Sequence, residues 1–145
     1  MSSDSAIPTT TVLLIDANKD QRTYWRTQLI RCSPDYEILE ASDSQSGLAL
    51  YRSQRIDCVV MDLGLPNKLG LKTLTELIPH ASRPQIAVIV FTLMSEPSVR
   101  DVVKQNGAYD CFVKFHRTGE VLDRAIQRAI AFVGQMPKED RYRPF

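Results

Sequence analysis

The chain has 145 residues, of which 43% are hydrophobic and 24% charged, proportions typical of a single soluble globular domain. Lys and Arg number 18 against 17 Asp and Glu, so the formal charge of +1 favours neither a nucleic-acid partner nor an anionic membrane. Apolar stretches such as residues 86–91 are too short to cross a bilayer, and three scattered cysteines suit neither a metal motif nor a complete disulfide set. We therefore expect a protein of the reducing cytoplasm and exclude membrane-spanning, collagen-like and disulfide-scaffold classes.

Five short apolar runs alternate along the chain with segments of helical spacing. Short runs without polar alternation are typical of strands buried on both faces of a parallel sheet. The predicted strands are Val12–Ile15, Tyr36–Ala41, Cys58–Met61, Ile86–Phe91 and the weaker Cys111–Val113. Five strands that alternate with five helices predict an α/β fold, a doubly wound parallel sheet with helices on both faces.

Residues that favour helix starts and stops separate these elements. Ser95, followed by Pro97, and Thr118 are predicted N-caps of the fourth and fifth helices. Gly107 and Gly134 are predicted to end these two helices.

The two ends of the chain differ in composition from its middle. Residues 1–10 are rich in Ser and Thr, and residues 135–145 are polar and contain Pro. We predict a folded domain over residues 11–134, with a flexible tail at 1–10 and a second tail at 135–145 that is too short for an output domain.

Four polar residues stand at or just beyond the ends of predicted strands: Asp16, Asp62, Thr92 and Lys114. Taken singly, each has an ordinary explanation, because an Asp often caps a loop and a Lys is usually solvated. In an open parallel sheet, however, the carboxyl ends of the strands meet at one edge, where ligands bind. Two carboxylates, a hydroxyl and an ammonium group at one edge suit Mg²⁺ together with a phosphoryl group.

From Thr11 to Val133 the chain resembles the receiver domain of two-component response regulators. The strongest block is the segment 56–66 followed by Gly70, which is similar to the family's apolar strand, phosphoacceptor Asp, and loop with Pro and Gly. Two further blocks, residues 90–92 and 107–114, match in residue type and spacing.

The resemblance implies a flavodoxin-like (βα)5 fold with strand order 2-1-3-4-5. It implies that Asp62 accepts a phosphoryl group from a histidine kinase or a phosphotransfer protein. Thr92 and Lys114 would then bind this group and alter a surface formed by the fourth helix, fifth strand and fifth helix, where a downstream protein binds. A second copy of the chain is a further candidate partner, through the last helix, and no nucleic acid or membrane is expected.

The resemblance also implies a Mg²⁺ site formed by Asp16, Asp62 and the backbone carbonyl of Gly64. The family usually has a second acid directly after the first, where this chain has Ala17. Because the missing carboxylate would hold the metal directly, we expect Asp16 to act through water and Mg²⁺ to bind weakly.

Three further positions depart from the family's pattern. Leu93 stands where a small residue is usual, and its side chain is expected to narrow access to Asp62. Cys111 occupies the place of the family's switch aromatic, and Phe112 should point to the opposite sheet face, because strand side chains alternate. Phe115 replaces the Pro that usually follows the Lys, which predicts a less rigid loop.

These observations leave two signalling hypotheses and one enzymatic alternative. The domain is either a phosphoacceptor or a phosphorylation-independent pseudo-receiver that acts as a protein-interaction module. A flavodoxin would need a Ser/Thr/Gly-rich phosphate loop after the first strand, and a hydrolase similar to haloacid dehalogenases would need Asp where Gly64 stands. We therefore expect a phosphorelay signalling domain rather than an enzyme.

Overall fold

The computed structural model describes residues 9–115 and 117–135, apart from the side chain of Lys68. The strands are β1 (Thr11–Ile15), β2 (Glu37–Ala41), β3 (Cys58–Met61), β4 (Ala87–Thr92) and β5 (Asp110–Val113). The helices are α1 (Lys19–Cys32), α2 (Ser44–Ser53), α3 (Gly70–Leu77), α4 (Pro97–Gln105) and α5 (Gly119–Gly134), and a short 3-10 turn at Pro66–Lys68 precedes α3.

The strands form one parallel sheet in the order β2-β1-β3-β4-β5. The predicted fold class, the alternation of five strands with five helices and the strand order are therefore confirmed. The strand ends differ by a single residue from the prediction, and one difference touches the site: Thr92 is the last residue of β4 rather than the residue after it.

The core lies on both faces of this sheet. Every residue of β1, β3 and β4 is buried, which explains why these runs are apolar without alternation. On one face Leu13 and Ile15 pack in a cluster that includes residues of α2, α3 and α4, and on the other Val12 and Leu14 pack with residues of α1 and α5. Burial of each such side chain contributes about 1.5–3 kcal/mol, so these two clusters hold the sheet edge in place.

The helix boundaries follow the local sequence, with one correction. The Thr118 hydroxyl accepts a hydrogen bond from the Val121 amide at 3.3 Å, and Gly107 follows α4 with a positive φ of 100°, both as predicted. The prediction that Ser95 caps α4 is wrong, because the N-cap is Glu96, without a side-chain hydrogen bond. Pro97 as the first residue needs no amide partner and already has a helical φ, so the helix starts there without a side-chain cap.

Most of the two predicted tails lies outside the described residues. Only residues 9 and 10 of the first tail and residue 135 of the second are described. No helix within residues 9–115 or 117–135 is both long and apolar enough to span a membrane.

Gly70 brings α3 close to the loop that follows Asp62. A Cβ atom at this position would lie 1.8 Å from the backbone oxygen of Leu63 and 2.5 Å from its carbonyl carbon. An Ala side chain would clash with the Leu63 backbone, and the clash can be relieved only by shifting main-chain atoms. We therefore expect Gly70→Ala to lower the free energy of unfolding by about 2–3 kcal/mol in urea denaturation. Gly134→Ala is the matched control, because nothing lies within 4 Å of its Cβ; its effect should stay within about 1 kcal/mol. Equal stability of the two variants would contradict this account.

Candidate functional site

The carboxyl edge of the sheet brings the predicted site residues to neighbouring strand ends. Asp16 follows β1 and Asp62 follows β3, and these strands are paired so that Ile15 lies opposite Met61. Hydrogen bonds continue past the strand ends: the Asp62 amide donates to the Ile15 carbonyl at 2.9 Å, and the Lys114 amide to the Thr92 carbonyl at 2.7 Å. The backbone of each residue is therefore held by the sheet itself.

The Lys114 ammonium group joins the two carboxylates. Its Nζ atom donates to Asp16 Oδ2 at 2.5 Å, to Asp62 Oδ2 at 3.0 Å and to Gln21 Oε1 at 2.6 Å. The Lys114 side chain is only 2% exposed, against 10% for Asp16 and 15% for Asp62. A buried ammonium carries three donors and is costly unless each is paired, and here three oxygens pair them.

The remaining carboxylate oxygens are also bonded. Asp16 Oδ1 accepts from the Asn18 amide and Asp62 Oδ1 from the Gly64 amide, both at 2.9 Å. Two carboxylates and one ammonium group give this cluster of three side chains a net negative charge, which a further cation would neutralise. Each carboxylate is thus oriented by one backbone amide and by Lys114.

Thr92 lies at the same edge, but its hydroxyl has another partner. The side chain is buried, and Oγ1 accepts a hydrogen bond from the Met94 amide at 3.1 Å. Within residues 9–115 and 117–135, no hydrogen bond links this hydroxyl to Asp16, Asp62 or Lys114. The structure thus brings the two acids and the lysine into contact and places the threonine beside them.

Helix α1 supplies site residues that the sequence interpretation missed. Gln21 binds the Lys114 ammonium, and Arg22 donates through Nη1 to the Asp16 carbonyl at 2.6 Å and through Nε to Glu40 Oε1 at 2.9 Å. The signal in the sequence is Asn18, whose side chain accepts from the Gln21 amide at 3.0 Å and so starts α1 beside the sheet edge. This cap places the first turn of α1 at the sheet edge, and Gln21 is the residue of that turn whose side chain reaches Lys114.

Two residues near Ala17, Asn18 and Asp20, also carry side-chain oxygens of the kind that Mg²⁺ prefers. The Asn18 side-chain oxygen serves as the helix cap, which commits it to a backbone amide. Asp20 is exposed in the first turn of α1, where its carboxylate interacts favourably with the positive end of the helix dipole.

The departures from the family's pattern are visible around this edge. Cys111 is buried in the cluster that includes α4, whereas Phe112 packs toward Phe91 on the other face at 6.5 Å between ring centroids, as predicted. Leu93 is 62% exposed, and its effect on access to Asp62 stays a prediction.

The strand cysteines have the environment of core residues. Burial raises the pKa of the Cys58 thiol far above its usual range, and burial also raises the pKa of the Cys111 thiol. Because thiolates are the reactive form of cysteine, this supports a packing role for both residues.

The sequence profile of the response regulator receiver domain matches residues 12–126. The chain belongs to this family. The receiver is 32% identical to Protein CcdB of Bacillus subtilis over 122 residues. This alignment covers 83% of the present chain and 98% of CcdB. It is 32% identical to the CAI-1 autoinducer sensor kinase/phosphatase CqsS of Vibrio cholerae, over 71% of this chain but only 15% of CqsS. The transcriptional regulatory protein SrrA of Staphylococcus aureus is 31% identical over 78% of this chain and 45% of its own length. The receiver therefore spans less than half of CqsS and SrrA and nearly all of CcdB.

Solved structures agree with this assignment. A response regulator receiver domain protein from Clostridium thermocellum superposes with a TM-score of 0.74 and 26% identity, over 85% of this chain and 95% of that one. The signal receiver domain of an HD domain-containing protein from Pseudomonas fluorescens gives a TM-score of 0.75 over 89% of this chain and 100% of that one; at 19% identity it supports the fold alone. Receiver domains are generally signalling modules rather than enzymes, and they switch between states on phosphorylation.

Receiver domains generally bind Mg²⁺ at this acidic edge. Mg²⁺ is usually held by one or two carboxylates, with waters and phosphate oxygens completing its shell. Asp16 and Asp62 converge on one ammonium atom, so their carboxylates are close enough to share a cation. The described residues offer no group of three His, Cys, Asp or Glu side chains that would enclose a metal. The site therefore fits a largely hydrated Mg²⁺.

The contact between Gln21 and Lys114 has a measurable consequence. Gln21→Ala leaves one donor of a nearly buried ammonium without its protein acceptor, so we expect the free energy of unfolding to fall by about 1–2 kcal/mol. Urea denaturation measures this, and Gln45→Ala, in the exposed first turn of α2, is the control, with an expected change within about 0.5 kcal/mol. If the two variants lose the same stability, Gln21 does not support the lysine.

Proposed function

We propose that this receiver is a phosphoacceptor in a phosphorelay, with Asp62 as the site of phosphorylation. The donor is the phosphohistidine of a histidine kinase or of a phosphotransfer protein. The observation that carries the proposal is the Lys114 ammonium, which is buried and directly bonded to the Asp62 carboxylate. An ammonium in this place stabilises negative charge where a phosphoryl group would arrive.

In the proposed reaction a carboxylate oxygen of Asp62 attacks the phosphorus atom. A new P–O bond forms, the P–N bond to the donor imidazole breaks, and its electron pair remains on the histidine nitrogen. Lys114 neutralises charge on the transferred phosphoryl oxygens, and the Gly64 amide orients the attacking carboxylate through its bond to Oδ1. Asp62 lies at the solvent-accessible rim of the sheet, with 15% of its side chain exposed, so that a donor histidine can approach it.

We further propose that Mg²⁺ is held by Asp16, Asp62 and the backbone carbonyl of Gly64, with Asp16 acting through water. The ion supplies positive charge that reduces repulsion between the acidic edge and an incoming phosphoryl group. Lys114, which is paired with both aspartates, supplies further positive charge at the same edge.

Thr92 connects the phosphoryl group to the output surface in this proposal. Its hydroxyl bonds the Met94 amide, so a phosphoryl oxygen that takes over the hydroxyl would release the loop leading into α4. Helix α4 is also tied to β5 by the ion pair of Arg100 with Asp110 at 2.9 Å. A change in that loop is therefore transmitted to the surface of α4, β5 and α5, where we place the downstream partner.

The second candidate is a phosphorylation-independent interaction module. It is favoured by the complete pairing of the Asp16 and Asp62 carboxylates, each of which has a partner on both oxygens. In that case the domain stays in one state, and partner binding does not depend on Asp62.

Phosphorylation is tested by incubating the protein with labelled acetyl phosphate and Mg²⁺ and digesting it for mass spectrometry. We expect an acyl phosphate on Asp62 that hydroxylamine removes, and no label at this residue in Asp62→Asn. Asp57→Asn is the matched control, because Asp57 precedes β3 at the opposite end of the same strand. Absence of label on Asp62, or equal labelling of Asp62→Asn, would favour the interaction module.

The role of the missing acid is tested by Ala17→Asp. Restoring a direct carboxylate ligand is expected to raise the affinity for Mg²⁺ by at least about tenfold, which corresponds to about 1.4 kcal/mol. Trp25 is the single tryptophan of the chain and lines the same cavity as Asp16 and Asp62, so its fluorescence is the readout of the titration. Ala17→Asn controls for size without charge and should have a smaller effect. If Ala17→Asp binds Mg²⁺ with the wild-type affinity, the absence of an acid at position 17 does not limit Mg²⁺ binding.

A further inference from the structure

The residue after Lys114 has an unusual backbone conformation. Phe115 has a φ of 66°, in the left-handed region that bulky side chains rarely adopt. Asn67 is the other residue with positive φ that is not glycine, among those the structure describes, and Asn tolerates this region. A Phe held there next to a functional lysine needs contacts that keep it in place.

Those contacts come from the aromatic residues of α1. The Phe115 ring centroid lies 5.6 Å from that of Trp25 and 5.8 Å from that of Tyr24. Trp25 is in turn buried against Phe91 of β4, at 4.5 Å between centroids. Although the Phe115 side chain is 52% exposed, its ring is thus linked through Trp25 to the core of the sheet.

The same face of α1 also holds the end of the Lys114 side chain. Gln21, Tyr24 and Trp25 are spaced i, i+3 and i+4, which places them on one face of the helix. Gln21 bonds the Lys114 ammonium, while Tyr24 and Trp25 pack on the ring of the next residue. Helix α1 therefore contacts two consecutive residues, Lys114 at its ammonium group and Phe115 at its ring.

We propose that Phe115 is a positioning residue whose ring, packed between α1 and solvent, holds the backbone that aims Lys114 at Asp62. This inference rests on the proposed function of Asp62 for its meaning in phosphorylation. The contacts with α1 take the place of the proline constraint that the sequence lacks, so the loop is held by side-chain packing instead.

The first test measures the lysine directly and does not require phosphorylation. The folded protein is treated with a water-soluble acylating reagent, and modification of Lys114 is followed by peptide mass spectrometry. Lys114 should be protected in the wild type and become modified at least about tenfold faster in Phe115→Ala and Phe115→Gly, because its positioning is lost. Phe115→Tyr, which keeps the ring, should restore protection.

Two further variants separate the loss of the Phe115 ring from backbone strain and from the loss of any exposed aromatic ring. Gly accepts a positive φ without strain, so Phe115→Gly removes the ring while keeping the backbone conformation accessible. Phe132→Ala is the matched control, since Phe132 is a comparably exposed ring of α5 that packs on Tyr109 at 5.9 Å, and it should leave Lys114 protected. If Lys114 stays as protected in both Phe115→Ala and Phe115→Gly as in the wild type, the proposal is wrong.

The second test uses the rate of Asp62 labelling by acetyl phosphate. Loss of the ring should lower the maximal rate by at least about tenfold while leaving half-saturation within about twofold, because misplacing a reacting group affects the chemical step. Phe115→Tyr and Phe132→Ala should keep the wild-type rate. An unlabelled wild type overturns the proposed phosphorylation and leaves the positioning of Lys114 to be decided by acylation; normal labelling in Phe115→Gly overturns the positioning role.

Discussion

One buried ammonium group organises the functional edge of this receiver. Lys114 cannot be desolvated without acceptors, and it finds them on the ends of β1 and β3 and on the first turn of α1. These contacts connect residues that lie 52, 93 and 98 positions away along the chain. The two aspartates share this one ammonium group and would repel each other without it, so the lysine stabilises the site by neutralising part of their charge.

Helix α1 has a larger part in this site than its mostly polar sequence indicates. The backbone amide of its cap, Asn18, donates to the Asp16 carboxylate. Its first turn reaches the lysine through Gln21, and its second turn reaches Phe115 through Trp25. The helix therefore contacts β1, β4 and the loop after β5 at once.

Much of the architecture was predictable because it depends on local patterns. Apolar runs that end in polar residues predicted every strand to within one residue at each end, and the capping chemistry of Thr118 and Gly107 predicted helix boundaries correctly. The prediction of Ser95 as the N-cap of α4 was wrong because Pro97, which is favoured as the first helical residue, places the cap at Glu96. The convergence of Asp16, Asp62 and Lys114 was also predictable, since parallel strands with matched ends leave few other arrangements.

The contacts that refine the site belong to the tertiary structure alone. Gln21 rather than Asp20 contacts the lysine because of the way α1 is rotated against the sheet. The spacing of apolar residues predicts which broad face of a helix is buried, but it does not predict the rotation that selects one of two neighbouring residues. The hydroxyl of Thr92 bonds the next loop rather than an acid, and the ring of Phe115 packs on α1, because loop geometry determines where these side chains reach. Strand order and residue chemistry are encoded over short segments, whereas these contacts arise only when distant segments pack together.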